Sequence, residues 1–72
     1  MIADNVDQCP LTLRQIQIVK LMADGKSASE MAAIIGLSRY TINFYIADAL
    51  RSAGTPKATG LVAMSLRKGW IE

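Results

Sequence analysis

The sequence contains no histidine and a single cysteine, Cys9. Without histidine, the chain has neither the general base of a Ser-His-Asp triad nor the imidazole ligand of most catalytic zinc sites. One cysteine cannot form an internal disulfide, so a reducing compartment is expected. We therefore predict no catalytic residue, no metal site and no cofactor.

Long apolar runs are also missing. No segment approaches the roughly 20 consecutive apolar residues that a membrane-spanning helix needs. The N-terminal stretch "MIADNVDQCP" lacks the basic region and the apolar region of a signal peptide. We therefore expect a cytoplasmic protein with no membrane partner.

The length and the charge distribution suit one small basic domain. The chain has 72 residues and a formal net charge of +2. Residues 1–10 contain two acids and no base, whereas residues 11–72 contain eight bases and four acids, a balance of +4. We predict a flexible lead-in over residues 1–10 and a domain over residues 11–72. A basic domain suits a polyanionic partner.

Capping patterns and a helical apolar period predict an all-α domain of four helices. Thr12 with Gln15, and Ser27 with Glu30, have the spacing of capping boxes. Ser38 is the predicted cap of a third helix that runs to about Ala53, and Thr55-Pro56 is the predicted start of the fourth. The expected helix stops are the glycines Gly25, Gly36, Gly54 and Gly69.

The second and third helices have the residue pattern of a helix-turn-helix. Ala32 is small where a second helix would cross, Gly36 tolerates the positive φ of a tight turn, and Ile42 would return into the joint. Each residue has a separate steric reason to stand at its position. The alternative interpretation is an ordinary helical hairpin within a bundle.

The third helix has one apolar face and one unusual outer face. The face predicted to be buried contains Ile42, Tyr45, Ile46, Ala49, Leu50 and Ala53. The opposite face contains Arg39, Tyr40, Asn43, Phe44, Ala47 and Arg51. Asn43 can pair with adenine, Phe44 can contact a thymine methyl group, and Arg39 can reach guanine or phosphate. We predict that Ala47 permits close approach and that Arg51 contacts the DNA backbone.

The chain resembles the LuxR-type (GerE-like) DNA-binding domain of bacterial transcription regulators over about residues 11–71. The stretches that carry the resemblance are "LTLRQIQIVKLMADGKS", "SEMAAIIGLSRYTI" and "LVAMSLRKGWI". The resemblance implies a four-helix helix-turn-helix domain whose third helix is the recognition helix. It also implies double-stranded DNA as partner and pairing of two copies through the fourth helix, which would make a homodimer.

Site residues follow from the resemblance position by position. Asn43, Phe44 and Ala47 would face the bases. The implied backbone contacts are Lys26, Ser38, Thr41 and Lys57. On the fourth helix, Leu61, Met64 and Ser65 are the candidate dimer contacts, although packing onto the domain's own core also explains part of this stripe.

The sequence departs from the family at several positions. Asn43 and Ser52 replace usual lysines, Ala58 replaces an arginine, and Gln15 and Gln17 replace glutamates. These missing bases reduce the expected attraction to phosphate.

Apolar residues stand where the family tends to expose polar ones, at Ile16, Ile34 and Phe44. The alternative function is therefore a protein-interaction module or anti-activator that pairs with a related regulator. The sequence leaves open whether Tyr40 is exposed, and whether Trp70 covers the first helix or faces a partner.

Overall fold

The computed structural model describes residues 9–72, which fold into four α-helices and contain no strand. We number them α1 (Leu13–Ala23), α2 (Ala28–Ile35), α3 (Arg39–Ala53) and α4 (Ala58–Arg67). This architecture confirms the predicted all-α, four-helix fold. Most of the predicted flexible lead-in, residues 1–8, lies outside the described residues.

Both predicted capping boxes form. The Thr12 hydroxyl accepts from the Gln15 backbone N–H at 3.2 Å, and the Gln15 side chain accepts from the Thr12 N–H at 2.9 Å. The corresponding bonds between Ser27 and Glu30 measure 3.1 and 2.8 Å. Hydrogen bonds from the Ser27 backbone and side chain lower the pKa of Glu30 below its ordinary value. These local bonds fix where α1 and α2 begin.

The predicted helix-turn-helix joint is present in α2 and α3. Gly36 ends α2 in the left-handed region with φ of 85°, a conformation that costs a residue with a Cβ about 1–2 kcal/mol. Ala32 and Ile42 are buried together in one cluster with Ile18 and Met31. The chain can therefore turn sharply and return its apolar face to the same core.

The predicted start of α4 is wrong. The Thr55 N–H donates to Leu50 O at 3.1 Å, so Thr55 completes the C-terminal turn of α3 instead of capping α4. The helix begins at Ala58 after Lys57, which makes no side-chain capping bond. The Thr55 hydroxyl lies against the first turn of α4. A Cβ atom added at Gly60 would stand only 2.7 Å from the Thr55 Oγ1.

The core consists of two apolar clusters, and α3 packs against each of the other three helices. The first cluster contains Leu11, Val19, Ala49, Leu61 and Ile71, and the second contains Ile18, Met31, Ala32 and Ile42. Met22 packs against both. Trp70 is partly buried against the first cluster, near the start of α1. This contact favours its role as a cover over that end of the fold.

Burial corrects two of the three predicted dimer contacts. Leu61 and Ser65 are 0% exposed within the single chain. Their side chains face the domain's own core, so they have no surface to offer a second copy. Met64 is half-buried, and its role as a dimer contact stays a prediction.

Candidate nucleic-acid interface

The outer face of α3 is open to solvent along its length. Tyr40 is 77% exposed and Phe44 is 66% exposed, so the structure places both aromatic side chains outside the core. All six predicted outer-face residues are exposed: Arg39, Tyr40, Asn43, Phe44, Ala47 and Arg51. Neither α1 nor α4 covers this face. Exposed aromatic, amide and guanidinium groups side by side can make both apolar and hydrogen-bonding contacts with a partner.

Two further candidates stand at the start of α3. The Ser38 hydroxyl accepts from the Thr41 backbone N–H at 3.1 Å and lies 3.0 Å from the Thr41 hydroxyl. Ser38 is exposed and Thr41 is half-buried. The amide groups of this first turn give the helix end a partial positive charge, which attracts anions.

Arg39 lies next to an aromatic ring at the same end of α3. Its guanidinium carbon is 5.8 Å from the centroid of the Tyr40 ring, within the range of a cation–π contact. This contact holds a positive charge beside an exposed aromatic side chain. Residues 38–41 therefore place a guanidinium group, two aliphatic hydroxyl groups and a phenol ring at the start of α3.

Lys26 and Lys57 flank a second part of the surface. Both are exposed; Lys26 lies in the turn between α1 and α2, and Lys57 is the residue before α4. A groove of about 390 Å³ is lined by Lys26 together with the first two residues of α4, Ala58 and Thr59. The fold thus brings the α1–α2 turn and the start of α4 together, although they are distant in sequence.

A polar network that sequence reasoning missed links α1 to α3. The Gln15 Nε2 donates to Asp48 Oδ2 at 2.9 Å, and the Arg51 guanidinium donates to Asp48 Oδ1 at 2.9 Å. Gln15 is only 3% exposed. The Asp48–Arg51 pair follows the i,i+3 spacing of a helix and was readable as such. The Gln15–Asp48 bond joins residues 33 apart and had no local signal.

Apolar side chains are also exposed on α1 and α2. Leu13 is 86% exposed and Ile34 is 55% exposed, and both line a concave surface of about 360 Å³ with Ile16. Leu13 and Ile16 also line a neighbouring cavity of similar volume beside Trp70. This surface extends from α2 across α1. A face that contacts only water does not need these apolar side chains, whereas a surface that contacts a partner does.

Two kinds of feature are absent from residues 9–72. No helix in that range is long and apolar enough to cross a membrane. The same residues contain no group of three or more potential metal ligands.

The fold and its exposed third helix define a small helix-turn-helix domain. The family described as bacterial regulatory proteins, luxR family (GerE), matches residues 9–65. The chain belongs to this family, which confirms the predicted resemblance. It is a family of regulatory proteins, and the prediction that the chain is not an enzyme is likewise confirmed.

Several bacterial proteins are similar to this chain over most of its length. The uncharacterized transcriptional regulatory protein YvfU of Bacillus subtilis is 31% identical over 90% of the chain. The response regulator RamR of Streptomyces coelicolor is 32% identical over 88%, and the transcriptional activator protein VanR of Vibrio anguillarum is 33% identical over 85%. The chain spans between 25% and 32% of the length of these relatives.

Proposed function

We propose that this domain binds double-stranded DNA sequence-specifically in bacterial transcriptional regulation, with α3 in the major groove. One observation carries the proposal: α3 contacts the other three helices, yet its six outer-face residues remain exposed. A helix in this arrangement can enter the major groove while the core supports it from behind. Membership in a family of regulators and the names of the relatives support the same function.

Base reading and backbone contact are divided along α3. Asn43 reads adenine through paired hydrogen bonds, and Phe44 contacts the methyl group of a neighbouring thymine. Ala47 keeps the following turn close to the groove floor. The phosphate contacts come from Ser38, Arg39, Tyr40, Thr41 and Arg51 on and beside α3, from Lys26 in the α1–α2 turn and from Lys57 before α4.

Binding is tested by fluorescence anisotropy with duplexes selected from a random DNA pool. We expect binding that weakens linearly on a plot of log affinity against log salt concentration. Absence of binding to every duplex, even at low salt, would refute the proposal. Equal binding to all duplexes would support an electrostatic contact with DNA but would refute sequence specificity.

Two alanine substitutions separate base reading from backbone contact. Asn43→Ala should cost about 1–3 kcal/mol on the selected duplex and much less on an unrelated one. Lys57→Ala is the matched control, because loss of a phosphate contact should weaken binding to both duplexes by the same factor. Equal losses for Asn43→Ala on both duplexes would show that Asn43 does not read a base.

The role of Phe44 has its own test in the DNA. Replacing thymine by uracil removes the C5-methyl group and leaves the base-pairing edge unchanged. We expect one such replacement in the selected duplex to weaken binding by the wild-type protein, and to leave Phe44→Ala unaffected. A methyl effect of equal size in both proteins would contradict this contact.

We further propose a weak homodimer in which the exposed part of α4 pairs two copies. Met64 is half-buried and Leu66 is 50% exposed, so this helix retains apolar surface beyond its core residues. Two copies related by a two-fold axis would read half-sites about 34–36 Å apart. Sedimentation on duplexes with one or two half-sites tests this arrangement; binding of independent monomers at any half-site spacing would refute it.

A second candidate function is pairing with a related regulator protein. The exposed Leu13 and Ile34 side chains beside one concave surface favour it. Light scattering and pull-down with a full-length relative discriminate the two functions. A chain that captures such a relative but shifts no duplex would favour the interaction module over DNA binding.

A further inference from the structure

Asp48 introduces a negative charge beside the outer face of α3. It follows Ala47, a predicted groove-facing residue, and it is the only acid within Arg39–Ala53. Its side chain is 45% exposed, so the carboxylate is not removed from the surface. A carboxylate in this place repels phosphate, which is the opposite of what a DNA-facing helix ordinarily offers.

The carboxylate is held in place from both sides. One oxygen accepts from Gln15 and the other accepts from Arg51, each at 2.9 Å. Gln15 is itself fixed, because its side-chain oxygen accepts from the Thr12 N–H at the start of α1. Asp48 is therefore anchored to the core, whereas its partner Arg51 is 66% exposed and able to move.

This asymmetry determines what happens when Arg51 approaches DNA. A free arginine that neutralises a phosphate contributes fully to the electrostatic part of binding. Arg51 must instead leave or share a carboxylate that cannot follow it. A phosphate near Arg51 is also near the carboxylate of Asp48. Its attraction to the guanidinium is therefore largely cancelled by its repulsion from the carboxylate.

We propose that Asp48, anchored by Gln15, is an affinity-limiting residue that restrains Arg51 from full phosphate contact. The inference rests on the proposed DNA-binding function. The Asp48–Arg51 ion pair on α3 thus lowers the electrostatic part of DNA binding, in addition to the lysines that the chain lacks at positions 43 and 52. The base contacts of Asn43 and Phe44 then carry a larger share of the binding.

The test compares Asp48→Asn with the wild-type chain in the anisotropy assay over a range of salt concentrations. Asparagine keeps an oxygen that accepts from Gln15, so the link between α1 and α3 is retained. We expect binding about two- to fivefold tighter at low salt, the range of one exposed ion pair. The slope of log affinity against log salt should steepen by about one, a change that altered stability alone would not produce.

Glu72→Gln is the matched control, because it removes the same unit of charge from an exposed residue outside α3. Equal tightening by both variants would assign the effect to net charge and overturn the proposal. Weaker binding by Asp48→Asn would also overturn it, since it would mean that Asp48 orients Arg51 productively.

A double-mutant cycle with Arg51→Ala completes the test. This substitution should weaken binding by a larger factor in the Asp48→Asn background, where Arg51 is free to contact phosphate, than in the wild-type background, where Asp48 holds it. Equal effects in both backgrounds would overturn the proposal. If the wild-type chain binds and Asp48→Asn changes nothing, only this inference fails. If neither protein binds any duplex at low salt, the proposed function fails with it.

Discussion

Replacing Gln15 by glutamate should destabilise the domain at neutral pH, although glutamate suits this position within an isolated helix. Gln15 is the third residue of α1 and the second member of its capping box. A carboxylate there would ordinarily gain about 0.3–1 kcal/mol from the helix dipole. In the folded domain, however, the Gln15 amide nitrogen donates to Asp48 Oδ2 at 2.9 Å. Glutamate would place an oxygen where that donor stands.

The size of the effect follows from this contact. Losing a hydrogen bond to a charged acceptor costs about 1.5–3 kcal/mol. Two like charges about 4 Å apart add between about 1 kcal/mol in water and 4 kcal/mol at an effective dielectric constant of 20. The Arg51 guanidinium offsets part of that repulsion. We expect a net loss of about 2–4 kcal/mol in the free energy of unfolding, which exceeds the dipole gain.

The assay is urea unfolding followed by circular dichroism at pH 7 and at pH 4. The neighbouring carboxylate should raise the pKa of the introduced carboxyl group in the folded state above its unfolded value of about 4.3. A raised carboxyl pKa means that the folded state binds more protons, so its stability falls as pH rises between the two values. The deficit of the variant should therefore be large at pH 7 and small at pH 4.

Two further variants make the reasoning refutable. Gln17→Glu is the matched control on the same helix, because Gln17 is exposed and accepts from Arg14 at 3.2 Å; we expect a change within about 0.5 kcal/mol. Adding Asp48→Asn to Gln15→Glu supplies a new donor and should restore most of the lost stability. A Gln15→Glu variant as stable as the wild-type chain at pH 7 would refute the argument.

Three other predictions test separate features of the fold. The Ser65 hydroxyl is buried and has no hydrogen-bond partner among residues 9–72. Ser65→Ala should therefore raise the free energy of unfolding by about 1–2 kcal/mol. The exposed Ser52→Ala should raise it by only about 0.5 kcal/mol, and equal gains would argue against a cost of burying the Ser65 hydroxyl. Gly36→Ala should lower the free energy of unfolding in urea by about 1–2 kcal/mol, because φ is positive at this residue. Gly36→Asn should lower it by less, since asparagine tolerates positive φ better; a larger loss for asparagine than for alanine would contradict this explanation. The lowered pKa of Glu30 means that its contribution to stability is present above the unfolded pKa and is lost as pH falls through the folded value. In an NMR titration, Ser27→Ala should raise this pKa part of the way, and an unchanged value would exclude the hydroxyl as a cause.

The local elements were predictable because their causes are local. A capping box joins residues three apart, so Thr12 with Gln15 could be read directly from the sequence. The helix-turn-helix was predictable because Ala32, Gly36 and Ile42 each meet one steric requirement at a fixed spacing. The outer face of α3 followed from helical period once Ser38 had fixed its start.

The errors arose where a residue had two plausible partners. The Thr55-Pro56 pattern predicts the start of α4, but the Thr55 N–H ends α3 and the fourth helix begins at Ala58. Leu61 and Ser65 lie on a stripe that can face either the core or a second copy, and periodicity alone does not distinguish them. The bond from Gln15 to Asp48 depends on how α1 and α3 pack. No local rule links two positions so far apart in sequence.

The central place of α3 has a consequence for how the domain loses its structure. Since this helix contacts all three others, its inner amides should exchange with solvent only when the whole domain opens, and more slowly than those at the helix ends. The surface proposed to read DNA would then be either fully formed or wholly absent in any one molecule. Local unfolding of a peripheral segment would leave that surface folded.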